Sequence, residues 1–372
     1  MNQNYKYIQY ASHRDVVFVL GAGASHPDGV PLQRHLLPMI LSGKIPEIEK
    51  SEIGKQVIQF IHDNFIYKQS SSANPQLEAV FGFLDYFIQQ NESLSARYTN
   101  LNLRTIKERL IKLIHYIVDL RTNQKSKYYN LFWGAIKKYN PNVSIITLNY
   151  DTLLEQAFEE FFRSFGYLDY CIHFMNYEKS VDLKQFNYWI NPREPVEVSE
   201  NKNPVPIKII KLHGSLNWKY CNCCNQTLLT PWDRKIDLIK GKFLGYTYPE
   251  KKEYEYVCPQ DGTEFETLIM PPSYIKTLSH PVISQLTSEA SREIRIAKRI
   301  MFIGYSLSDA DLHIKALFKK QLKDNVEVIV VNAHDSESLK ARFMALSSNV
   351  KFITKSFEHL VRNEILMKEL LS

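Results

Sequence analysis

Five short apolar runs, rich in β-branched residues, each stop at a glycine or a small polar residue, and this regularity constrains the chain more than any other feature. Val16-Val17-Phe18-Val19-Leu20 stops at Gly21, Val143 to Leu148 at Asn149, and Ile207 to Leu212 at His213. Ile300 to Ile303 stops at Gly304 and Val326 to Val331 at Asn332, while Val350 to Ile353 forms a sixth run. Runs that are apolar at every position are the pattern of strands buried on both faces. Helical spacing lies between several of them, as in Leu32, Leu36, Leu37 and Ile40 after Pro31, and in Leu153 to Phe162. Strands alternating with helices predict an α/β fold, a Rossmann-type parallel sheet with helices on both faces. Ligands bind such sheets at the carboxyl edge. The residues that follow the strands are therefore the candidate site.

Two segments interrupt the alternation. Residues 46–140 carry little strand signal, and Ile106, Leu110, Leu113, Ile114 and Ile117 recur at the spacing of an amphipathic helix. We read this stretch as a helical insertion, with a polar loop at Gln69–Pro75. Four of the five cysteines fall between Cys221 and Cys258, in a small module expected over 219–266. Residues 1–45, 141–218 and 267–372 are then three parts of one main domain, the last ending in a helix. The charged, proline-containing stretch Glu178–Pro206 reads as a long loop.

Composition narrows the class. No run of about 18 apolar residues occurs, so a membrane span is not expected. Met1–Arg14 is polar and has no apolar core of a secretory signal. Clustered, few cysteines fit metal binding in a reducing compartment, and we expect a cytoplasmic protein. The net charge is +6, and Arg104–Lys138 holds nine Lys/Arg against Glu108 and Asp119. Such a stretch is either a solvated helix face or a patch for nucleic acid, and the sequence leaves direct nucleic-acid binding open.

The motifs carry the chemistry. Gly21-Ala22-Gly23-Ala24-Ser25 follows a strand, and a glycine turn into a helix lets backbone N–H groups approach a phosphate. A dinucleotide would fit, and so would a plain tight turn. His26 breaks the G-x-G-x-x-G pattern, and no Gly-Lys-Ser/Thr of a Walker loop follows. Thr147-Leu148-Asn149-Tyr150-Asp151 offers an amide for a ribose hydroxyl or water, or a helix cap for Leu153. Leu212-His213-Gly214-Ser215-Leu216-Asn217-Trp218 places an imidazole at a strand end, suited to proton transfer at neutral pH. Cys221-Asn222-Cys223-Cys224 and Cys258-Pro259-Gln260-Asp261 give C-x2-C and C-x2-D, short of the four thiolates of a zinc ribbon. Asp261 or Cys223 would complete a structural zinc site with Cys221, Cys224 and Cys258; the rival is a degenerate knuckle without metal. Gly304-Tyr305-Ser306-Leu307-Ser308-Asp309-Ala310-Asp311 suits a ribose or phosphate contact, or a helix cap, and Asn332 an adenosine contact.

In order and context these motifs resemble the sirtuin family, along nearly the whole chain. The wording around His213 and Gly304 is most similar to a bacterial sirtuin-like branch associated with antiphage defence. The resemblance implies NAD+ as substrate, with Gly21, Ala22, Gly23 and Ser25 at the pyrophosphate and adjoining ribose. It implies Asn149 and Asp151 at the nicotinamide ribose and water, His213 as base, and Gly304, Ser306 and Asn332 along the adenosine. Deacetylating sirtuins follow the glycine turn with a Gly-Ile-Pro-Asp-Phe-Arg-like segment. Gly29-Val30-Pro31-Leu32-Gln33-Arg34 here lacks the Asp-Phe pair, which favours water as acceptor. The expectation is an NAD+ hydrolase (NADase) depleting NAD in abortive infection, gated by assembly: a homo-oligomer, with a hexameric HerA-like DNA-translocase ATPase as partner. The alternatives are an NAD-dependent protein deacylase and a catalytically silent NAD- or ADP-ribose-binding subunit.

Overall fold

The computed structural model describes residues 5–65, 74–122, 124–162, 164–175, 189–190, 196–230, 236–246, 252–276 and 279–372. Its centre is an eight-stranded sheet in which every neighbouring pair is parallel. From one edge the strands are Val350–Thr354, Glu327–Asn332, Ala297–Ile303, Arg14–Leu20, Val143–Thr147, Val205–Lys211, Gly166–Asp169 and Trp189–Ile190. The six runs named from sequence are all strands of this sheet. Gly166–Asp169 and Trp189–Ile190 were not expected, being short and lacking a β-branched run.

Strand alternation distributes the helices. Phe18 packs edge-on to Phe132 of helix Lys127–Tyr139, with ring centroids 4.9 Å apart. Phe302, one residue past the position paired with Phe18, packs against Phe318 of helix Leu312–Gln321 and Phe343 of helix Glu337–Met344. Side chains of period two thus bury one row under each helical layer, which is why the strands are apolar throughout. The fold class is the one predicted: helices on both faces of a parallel, Rossmann-type sheet. The long helix Asn100–Thr122 buries Ile106, Leu110, Leu113, Ile114 and Ile117 as the spacing predicts, and packs with Glu52–Phe65 and Leu77–Gln90.

Some local expectations need correction. Glu178–Pro206 is not one loop: it contains strand Glu197–Ser199, paired with Tyr5–Tyr7, as well as Trp189–Ile190 and the start of Val205–Lys211. Backbone pairing there owes little to side-chain hydrophobicity, so periodicity could not reveal it. The helix from Leu153 stops at Phe158 rather than Phe162. Most of the predicted loop Gln69–Pro75 lies outside the described residues. Beyond His213, strand Gly214–Tyr220 leaves the sheet and pairs antiparallel with Glu266–Ile269 and Thr227–Leu229. No helix among the described residues is long and apolar enough to cross a membrane. Four cations of the basic stretch are paired with acids: Lys107 with Asp85, Lys112 with Glu108, Lys125 with Glu160 and Lys138 with Glu364.

Strand order reverses between Arg14–Leu20 and Ala297–Ile303. The chain builds outward in one direction from the first and in the other from the second, which makes this the switch point where a ligand crevice opens. The two loops that leave it touch through backbone alone. Gly21 N–H donates to the Ile303 carbonyl at 3.0 Å and Gly23 N–H to the Gly304 carbonyl at 2.9 Å. Gly304 has φ +61°, and a Cβ on it would lie 2.4 Å from the Ala24 nitrogen. Gly304→Ala is expected to lower stability by at least about 1–3 kcal/mol from the positive φ alone. Urea denaturation measures it; a stability within error of wild type would mean that the loops part without cost.

Candidate functional site

The carboxyl edge at the switch point encloses a crevice of ≈ 560 Å³. Gly21, Ala22, Gly23, Asn149, Asp151, His213, Gly304, Ser306 and Asn332 all line it. The sequence-predicted set is therefore brought together, with one exception. Ser25 is fully buried beneath the first turn, where its hydroxyl lies 2.9 Å from the Tyr129 hydroxyl.

Asn149 sits where the second strand ends. Its Nδ2 donates to the Gly21 carbonyl at 3.0 Å and to Ser25 Oγ at 3.1 Å, locking the second loop to the first. Its Oδ1 has no partner among the described residues, so this oxygen is the atom left for a ligand. Asp151 caps the following helix, accepting from Leu153 N–H at 3.2 Å. Burial pushes its carboxyl up, opposed by Lys211. Lys211 is itself buried, donating to the Asp151 carbonyl at 2.6 Å and to Glu155 Oε1 at 2.7 Å. This pair anchors the helix that carries the second loop to the strand that carries His213.

His213 follows Leu212 at the end of its strand, and the chain turns immediately. Gly214 has φ +80°, and a Cβ there would fall 1.9 Å from the Leu268 carbonyl oxygen, so the residue beside the histidine must be glycine. Met270 N–H donates to the His213 carbonyl at 2.9 Å, and the Tyr150 hydroxyl to the Met270 carbonyl at 2.7 Å. The imidazole Nε2 lies 3.3 Å from His313 Nε2 and 3.6 Å from Asp311 Oδ1. Burial, and then the Lys276 ammonium, pull His213 down to about 3. It is neutral at physiological pH.

Lys276, Asp311 and His313 are residues that strand-end reasoning did not single out as functional. Asp311 belongs to a motif quoted from the sequence, but there the cap reading falls on Ser308 and Asp309 and Asp311 has no role of its own. His313 lies two residues further on, and Lys276 sits in a Pro-Pro-Ser-Tyr-Ile-Lys stretch with no strand before it that the sequence makes visible. The separation of His213, Asp311 and His313 would admit a cation. However, the Lys276 ammonium already lies 2.7 Å from Asp311 Oδ1, and like charge opposes a second cation there. The helical segments also contribute: Glu78 and Val118 form part of the crevice wall, and Glu78 accepts a hydrogen bond from Gln33. At the opposite end, Asn332 Nδ2 donates to the Tyr305 carbonyl at 3.3 Å, and Ser308 Oγ accepts from Ala310 N–H at 3.3 Å.

The cysteine cluster lies apart from the crevice. The sulfurs of Cys221, Cys224 and Cys258 and a carboxylate oxygen of Asp261 are all within 4.8 Å of one another. Cys224 and Cys258 sulfurs are 3.7 Å apart, and Cys221 Sγ lies 3.3 Å from Asp261 Oδ2. Three thiols and a carboxylate in this arrangement fit the donor set of a tetrahedral zinc site. Cys223 is exposed and outside the group, which decides between the two fourth ligands left open by the sequence in favour of Asp261.

A SIR2-like domain model matches residues 143–353, more than half of the chain. The chain belongs to the SIR2-like family. Its fold is similar to that of solved sirtuins at low identity. A Sir2 homologue in complex with NAD is 13% identical, with a TM-score of 0.46, over 97% of this chain and 92% of that one. A Sir2 bound to acetylated peptide is 13% identical, with a TM-score of 0.42, over 97% and 95%. A sirtuin solved for substrate affinity is 14% identical, with a TM-score of 0.44, over 95% and 94%. No curated protein matches the chain.

Lys211→Met is expected to cost about 3–5 kcal/mol, because Glu155 is left buried without a counter-charge, whereas Lys211→Met/Glu155→Leu should recover most of it. Chemical denaturation of the two variants checks this. Equal losses would place the energy in packing rather than in charge.

Proposed function

We propose that this SIR2-like protein is an NAD+ glycohydrolase that cleaves NAD+ to nicotinamide and ADP-ribose. The observation that carries the reading is the convergence of the glycine turn, Asn149 and His213 on one crevice at the switch point. Its volume suits a ligand of dinucleotide size. Family membership supports NAD+ as substrate, and the lack of the deacetylases' Asp-Phe pair in Gly29–Arg34 supports water as acceptor.

Each lining residue then has a task. The Ala22 backbone N–H faces the pyrophosphate, which the glycines on either side of it allow to come close, while Gly304, Ser306 and Asn332 hold the adenosine ribose. Asn149 Oδ1 orients a ribose hydroxyl or the attacking water, and Asp151 holds the second loop in shape. Ser25 acts from behind the turn through Asn149. Positive charge develops on the ribose as the glycosidic bond breaks, and nicotinamide leaves neutral, so no strong acid is needed. His213 accepts the proton of the water, for which an unprotonated ring is required.

We further propose a structural Zn2+ held by Cys221, Cys224, Cys258 and Asp261. It would cross-link the strands of the cysteine module and take no part in the reaction. Five free thiols fit a reducing, cytoplasmic setting. The sequence likeness to the antiphage branch supports a role in depleting NAD during infection. An always-active NADase would harm its own cell, which supports gating in a homo-oligomer or by a HerA-like ATPase. We also propose that residues 1–45, 141–218 and 267–372 are the catalytic domain, with 46–140 and 219–266 as its insertions.

Wild-type protein incubated with NAD+ and no peptide is expected to release nicotinamide and ADP-ribose, and His213→Ala and Asn149→Ala to abolish it while keeping the circular-dichroism spectrum. Nicotinamide release only with an acylated peptide would identify a deacylase, and tight NAD+ binding without turnover a regulatory subunit. Elemental analysis is expected to find zinc at about one per chain, lost with a fall in melting temperature in Cys258→Ser. A metal-free wild type would make the cluster a hydrogen-bonded knuckle.

A further inference from the structure

What aims the His213 ring, and what balances the charge it acquires, is supplied from across the switch point. His213 comes from one side of the sheet's centre and Asp311 and His313 from the other, after Gly304; Lys276 comes from the segment that follows Glu266–Ile269. The Leu148 backbone favours the protonated ring, and Nε2 lies against His313 and Asp311. Nε2 is therefore the ring nitrogen that faces the carboxylate. Both oxygens of Asp311 are anchored: Oδ1 accepts from Lys276 Nζ at 2.7 Å and Oδ2 from the Tyr305 hydroxyl at 3.0 Å. A carboxylate held at both ends cannot rotate away from the ring.

We infer that Asp311, clamped by Lys276 and Tyr305, is a positioning residue for His213: it holds a fixed carboxylate beside Nε2 that meets the positive charge appearing on the ring during hydrolysis. This rests on the hydrolase reading for its chemical step. In that step the bond between nicotinamide and ribose breaks with its electron pair leaving on nicotinamide. The water oxygen bonds to the ribose carbon, and the water proton goes to Nε2. Imidazolium then stands 3.6 Å from a carboxylate rather than alone in a buried site.

Burial and then Lys276 set the resting state: the ring is desolvated, and the ammonium offsets the Asp311 charge, so the ring is not protonated before substrate arrives. The remaining groups around His213 are His313, Tyr150, Tyr305 and, in the crevice wall, Asp151 and Glu78. Both phenols are neutral, raised by burial. His313 is pulled down to about 4 by burial and then by Lys276, so it also carries no charge at neutral pH. The balance at Nε2 is thus between Lys276 and Asp311.

The sign of each change follows. Removing Lys276 exposes the ring to an uncompensated carboxylate and raises its titration point. Removing Asp311 leaves the ring neutral but takes away the partner of the imidazolium. The test uses the full chain as wild type, Lys276→Met, Asp311→Asn and the double variant, with histidine-ring NMR titration and pH–rate profiles. Wild type should show no acid limb between about pH 5 and 8, and in Lys276→Met the His213 resonance should titrate at higher pH than in wild type, with any acid limb of the rate profile moving up with it. Asp311→Asn should lower kcat about 100-fold with KM changed less than about threefold. The double variant removes both charges together, so it should fold where Asp311→Asn fails to; it too should lose kcat, with His213 titrating close to wild type. An unmoved His213 resonance in Lys276→Met, or a kcat within about twofold of wild type in the folded Asp311→Asn or double variant, overturns the assignment. If wild type releases no nicotinamide, the hydrolase reading fails on its own, and the NMR titration of Lys276→Met still decides this one.

Discussion

Everything functional in this molecule hangs on a backbone-to-backbone contact between two glycine loops. Gly21 and Gly23 donate to the Ile303 and Gly304 carbonyls across the reversal of strand order. No side chain fits between them, since a Cβ at Gly21 would lie 2.6 Å from Tyr305 Cα. The glycines let two halves of the sheet close on each other at the floor of the crevice. Asn149 extends the lock to a third strand through its bond to the Gly21 carbonyl.

Charge is layered about the sheet. Away from the crevice lining, Arg14 and Lys208 pair with Glu293, and Lys208 also with Glu289. Beneath the crevice, Lys211 and Glu155 form a dry pair. At the carboxyl edge the groups are balanced or neutral. His213 and His313 are held unprotonated by burial and Lys276, and the Asp311 carboxylate beside them is matched by that same lysine. Fixed charge supports the scaffold, and the reactive edge keeps its charge conditional.

Much of the sheet and the location of the crevice were legible in the sequence, because strands buried on both faces are apolar without a break and end abruptly. His213 and Asn149 stood out as polar residues at such ends. The edge strands Gly166–Asp169 and Trp189–Ile190 did not, since short outer strands need no apolar run. Ser25 was legible as part of a motif but not as a buried hydroxyl behind it, because sequence order does not tell which side of a turn a side chain takes. Lys276 and His313 were illegible for a different reason. They reach His213 and Asp311 from a loop and from the first turn of a helix, and their importance lies in distances to a residue 63 and 100 positions away in the chain.

Strand Gly214–Tyr220 has His213 at one end and Cys221 at the other. It is buried along its whole length, paired with Glu266–Ile269 on one side and, over Trp218–Tyr220, with Thr227–Leu229 on the other. The imidazole and the thiol cluster therefore stand at the two ends of a single buried strand, with Gly214 the one positive-φ turn between them.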